Sequence, residues 1–220
     1  MVASGGTVIL VWALTRELDP DRPVAAGIAG ALSGAAVVVT GETSLIALTG
    51  LLVATRILTR STGAWPSLTD LAVVGVAVGI FARTPVAWAA GMALAVAVAL
   101  DTAMVHPAPA HHMWLGLATG VAVTVTAVVS DALNTGWVAP GPASLAIVLV
   151  GLVLGWTAPV GRIHAVGDHR NLPLDESRVV AARRLTVAAL AVATLTGGTS
   201  AWPGWAAVAG VAALAPWRQR

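Results

Sequence analysis

The chain has no cysteine, no lysine and no tyrosine, one phenylalanine, and only 10% charged residues. Without cysteine there are no disulfides, no thiolate metal sites and no cysteine nucleophile. Any side-chain chemistry must come from the five histidines and ten carboxylates. Named reaction motifs are missing too: no Gly-x-Ser-x-Gly elbow, no His-Glu-x-x-His, no glycine-rich phosphate loop and no aspartate-rich diphosphate motif. The scarcity of charge is the most informative of these absences. A 220-residue chain that is 57% hydrophobic, with mean hydropathy +0.86, cannot hide that much apolar surface in one soluble core. It reads as an integral membrane protein whose main partner is the lipid bilayer. The net charge of +2 does not form a basic face, because the arginines sit in short loops between apolar runs. No nucleic-acid partner is expected.

What is present is a series of apolar segments separated by proline, glycine and charge. They predict helices near 4–15, 24–40, 44–58, 68–81, 86–100, 113–133, 143–160, 184–196 and 205–217. The expected fold is an all-α polytopic transmembrane bundle of eight or nine short helices, a single domain over 1–220 with no soluble domain. The first segment would be only about 18 Å long against a hydrocarbon core of roughly 30 Å, so its span is the least secure.

Sidedness follows from arginine. If alternate loops lie in the cytoplasm, eleven of the twelve arginines fall inside and only Arg83 outside. That bias predicts a plasma-membrane protein with its amino terminus outside and its carboxyl terminus in the cytoplasm. The nine tryptophans fall at or near segment ends, as an interfacial aromatic belt requires. Four segments carry Gly30/Gly34, Gly75/Gly79, Gly116/Gly120 and Gly151/Gly155. This spacing lets helix backbones approach, within the chain or in a helix-packed homo- or hetero-oligomer. The stretches 53–66 and 192–203 resemble each other weakly, as an echo of composition or, alternatively, as an inverted repeat of the kind transporters use.

The longest polar interval, residues 161–184, holds five arginines and two histidines. With the loop at 101–112 it puts His106, His111, His112, His164, Asp168 and His169 on one predicted side. Imidazole and carboxylate donors together suit a divalent metal, the one cofactor the sequence suggests, although the spacing fits no named metal signature. The plainer reading is an amphipathic lead-in to the eighth helix, capped by Asp175 or Ser177. Arg178, Arg183 and Arg184 would then snorkel toward anionic headgroups.

Polar residues near the predicted helices are few. Asp70 lies one turn into the fourth segment and should pair with Arg56 or Arg60, of which Arg60, on the connecting turn, is the better placed. Asp131, near the end of the sixth, should either pair with Arg83 or cap the helix in water. Thr124 shares a stripe with Asp131 and should bond back to its own helix. With no carboxylate at mid-depth, an ion-coupled carrier is disfavoured. The functional expectation is a permease-like or accessory membrane subunit; the alternative is a membrane enzyme with a cytoplasmic His/Asp site.

Overall fold

The computed structural model describes residues 2–62, 66–135, 139–159, 163–167 and 173–214. Among these the fold is all-helical, with no strand beyond an isolated bridge between Val166 and Pro173. In chain order the helices are α1 (Val2–Leu18), α2 (Pro23–Thr40), α3 (Leu45–Thr59), α4 (Leu68–Phe81), α5 (Pro85–Leu100) and α6 (His111–Val129). After them come a single turn, α7 (Ala132–Thr135), then α8 (Pro142–Thr157) and α9 (Glu176–Gly197). A 3-10 turn (Gly198–Ala201) leads into α10 (Trp202–Ala213).

The boundaries have local causes. Ser44, Thr84 and Asp175 each accept a hydrogen bond from a first-turn backbone N–H, and Ser67 forms a full capping box with Asp70. Proline occupies the first turn of α2, α5, α8 and α10, where its missing N–H costs nothing. Arg22 precedes α2 without a side-chain capping bond. The neighbouring Asp21 carboxylate accepts from the backbone N–H of His164 and Ala165.

By length and apolar character, three stretches among the described residues are able to cross a membrane. They are α2, α6 and the continuous run Glu176–Ala213, which joins α9 to α10; α3, α4, α5 and α8 are apolar but shorter. The expected segments and the helices differ most at the eighth, where α9 begins at Glu176 rather than 184 and gains two turns. The sixth differs as well: α6 stops at Val129, and Asp131 lies beyond it in a left-handed conformation (φ 58°), so it is no part of that helix or of a stripe with Thr124. Arg83 is exposed in the α4–α5 turn, and among the described residues it forms no ion pair.

Helices α3, α5 and α9 form the centre, with Leu58, Leu94, Val187 and Leu190 fully enclosed. α1, α2 and α10 pack around a second cluster containing Val11, Leu14, Leu18 and Ala207, while α4 and α6 cover α5. Two glycines show how closely the helices approach. A Cβ on Gly116 would stand 2.7 Å from the Ala95 carbonyl oxygen and 2.9 Å from the Ala99 nitrogen, so α6 rests directly on the α5 backbone. At Gly151 the added atom would fall 2.1 Å from the Trp205 ring. The first is a small-residue contact that brings two helix backbones together, and the second makes room on α8 for an indole ring of α10. Trp205 departs from the belt expectation: it is buried, and its indole N–H donates to the Thr194 hydroxyl at 2.9 Å.

Candidate functional site

The hydrogen bonds sort the helix ends into two faces. At one end lie the C-termini of α1, α3, α5, α8 and α10 and the N-termini of α2 and α9. They are tied by Glu17 to Arg56 and Thr59, by Arg183 to Leu18 and Ala158, and by Arg22 to Leu214. At the other end Thr7 meets Thr43, Glu42 accepts from Thr199, and Trp202 donates to Ser144. Almost all the described charge is at the first end.

The centre of that end is Asp101, which terminates α5 and is 0% exposed. Its Oδ1 accepts from Arg178 Nη1 at 2.6 Å and from Arg60 Nε at 3.1 Å, with Arg60 Nη2 also 2.9 Å away. Arg178 comes from the first turn of α9, and Arg60 follows α3 in a left-handed conformation. Burial lowers the Arg60 pKa from its ordinary value, with Asp101 opposing that shift and Arg178 adding to it. Two guanidiniums thus close on one carboxylate and join the ends of three central helices.

Arg178 does more than pair. It donates to the Leu58 carbonyl at 3.1 Å and the Val105 carbonyl at 2.6 Å. Arg183 donates to Ala158 at 2.8 Å and to Leu18 at 3.2 Å. Leu18, Leu58 and Ala158 sit at helix C-termini, whose last carbonyls have no partner in their own helix and carry the negative end of the helix dipole. The two arginines of α9 therefore complete three neighbouring helices. Each is only 3% exposed, so the snorkelling expected of them is overturned for both; of the three, only Arg184 stays exposed. The cause is the two added turns of α9, which carry Arg178 and Arg183 inward. Asp175 caps that helix, and its carboxylate is held below the ordinary range by the Ser177 hydroxyl and the Arg178 backbone N–H, against burial.

The Asp70–Arg60 pair does not form. Asp70 is exposed, with its carboxylate taken up by the Ser67 N–H and hydroxyl at 3.1 and 2.7 Å, while Arg60 turns to Asp101. A three-residue cap is local, whereas reaching Arg60 would have required the carboxylate to leave it. Thr124 also departs from expectation: its hydroxyl points across to Met92 Sδ on α5 at 3.5 Å rather than back along α6.

The histidines scatter. His106 and His111 are exposed, and His112 is buried with its ring edge-on to His111, centroids 4.9 Å apart. His164 is exposed, with Nδ1 3.7 Å from Asp21. Asp168 and His169 lie outside the described residues. Among the described residues no three His, Asp or Glu side chains converge as a metal would need. Sequence reasoning missed Asp101 as the partner of both arginines. Its one local signal is position, an acid directly after an uninterrupted apolar run. No protein-family model, curated protein or solved structure matches the chain.

Proposed function

We propose that the chain is a multi-pass integral membrane protein that acts as a permease-like or accessory subunit through helix packing. The observation that carries this reading is the distribution of charge. At one end, acids and arginines are spent on joining helices to each other, and the flanks of α4, α6 and α8 expose Val, Leu and Ile along their length. A bundle with such flanks is stable only where something apolar surrounds them. Helices of 14 to 16 residues such as α3, α4, α5 and α8 reach about 21–24 Å. A locally thinned bilayer with interfacial tryptophan and arginine at the ends accommodates them. On this reading all the longer helices cross, the arginine-rich end faces the cytoplasm of a cell membrane, and the amino terminus lies outside. The exposed apolar flanks of α4, α6 and α8 suit partners that are themselves helical, a second copy or another membrane subunit.

The test combines two readings of one preparation. Membranes washed with alkaline carbonate should retain the chain, and protein purified from them in mild detergent should carry no stoichiometric divalent metal. Release by carbonate would remove the membrane reading. A stoichiometric metal that disappears in a His111→Ala, His112→Ala variant would move the function to the enzyme alternative.

A further inference from the structure

The third arginine at the start of α9 behaves unlike the other two. Arg184 is exposed, and among the described residues no carboxylate or carbonyl faces it. Its guanidinium instead lies over the Trp156 ring, 5.3 Å from the centroid. Stacking on an aromatic face fixes the plane of a guanidinium while leaving its N–H edge free. One turn further along α9, Ala188 lines an apolar groove of about 190 Å³. Leu185, Ala188 and Val192 of α9 and Trp88, Met92 and Val96 of α5 line it. From Leu185 to Val192 this groove runs about 10 Å along the helix axis.

We propose that this groove and Arg184 together form a binding site for one anionic phospholipid. An acyl chain lies in the α5–α9 groove, and the phosphate accepts hydrogen bonds from the free edge of the Arg184 guanidinium beside Trp156. The occupant follows from charge and shape. The groove is apolar, so it takes hydrocarbon. Toward its charged end, one turn before Ala188, stands Arg184, a cation pre-oriented by an indole of the kind that sits at headgroup level. A bidentate guanidinium contact suits a phosphate, and a zwitterionic headgroup brings a competing positive charge to the same place. Arg178 and Arg183 cannot serve, since both are buried and bonded to carbonyls, and Arg178 also to Asp101.

The inference rests on the membrane reading above, and its failure is separable from it. The full chain, purified in detergent, is mixed with phosphatidylglycerol or with phosphatidylcholine of the same acyl chains, and lipid retained per protein is read by native mass spectrometry. The native protein should hold phosphatidylglycerol about fivefold better, the scale of one basic side chain at an anionic surface. Arg184→Gln should bring the ratio to one, and Arg83→Gln, at the opposite end, should leave it unchanged. Ala188→Leu, which fills the groove, should reduce retention of both lipids. Equal retention by the native protein, or an unchanged ratio in Arg184→Gln, would overturn the proposal. So would displacement of neither lipid by Ala188→Leu. A chain retained by carbonate-washed membranes that shows no lipid preference sinks this inference alone.

Discussion

Replacing Asp101 by alanine should be the most damaging single change at the charged end, lowering stability by about 3–5 kcal/mol. The aspartate is fully enclosed, and its two partners are nearly so, with side-chain exposures of 13% for Arg60 and 3% for Arg178. Removing the carboxylate strands two positive charges in a region from which water is excluded, and that desolvation cost outweighs whatever the ion pairs contributed in net terms. For a chain of this size the melting temperature in detergent should fall by roughly 6–20 °C. Arg178→Met should cost more than Arg60→Met, because Arg178 also satisfies the Leu58 and Val105 carbonyls. Asp70→Ala is the control: an exposed cap should cost about 1 kcal/mol. If Asp101→Ala melts within a degree or two of Asp70→Ala, the knot does not hold the helices together.

The second large effect is expected at Gly116. A valine there must displace the backbone of α5, since the nearest atoms to its Cβ are the Ala95 carbonyl oxygen and the Ala99 nitrogen. Neither is the mobile end of a side chain, so α5 and α6 have to move apart. Such overpacking costs about 1–3 kcal/mol, and more where the helices cannot separate. Thermal unfolding in detergent should show the loss, and the Met92–Thr124 contact should loosen with it. Gly27→Ala supplies the comparison, since no heavy atom lies within 4 Å of a Cβ at that position. It should be neutral or slightly stabilising, by up to about 1 kcal/mol, as alanine favours helix over glycine. A Gly116 variant as stable as the Gly27 one would contradict the close α5–α6 contact.

The apolar runs and their proline, serine and aspartate boundaries made the helices legible, because hydropathy and capping are local properties of the chain. The interior was far less so. α9 is the most enclosed of the long helices, and its first turns, Glu176-Ser177-Arg178, carry the polar residues that single-sequence reasoning sends to the surface. That reasoning holds when each charge is solvated alone. It fails where a charged side chain finds the unpaired carbonyls of several helix ends at once, as Arg178 and Arg183 do. The choice of Asp101 over Asp70 as the partner of Arg60 was unreadable for the same reason. Both acids are at helix ends on one face, and only the packing of α3, α5 and α9 decides between them. The glycine pairs were visible as spacing, but which helix each one meets depends on the assembled bundle.

Because the chain has no native cysteine, a single introduced one reports its own position without background. Ala103, in the exposed loop beyond Asp101, and Arg83, in the turn between α4 and α5, lie at opposite ends of the bundle. A membrane-impermeant thiol reagent applied to intact cells should label Arg83→Cys rapidly and Ala103→Cys only after the membrane is permeabilised. Equal labelling of both from outside, or labelling of Ala103→Cys in preference, would contradict a membrane-crossing bundle whose arginine-rich end faces the cytoplasm.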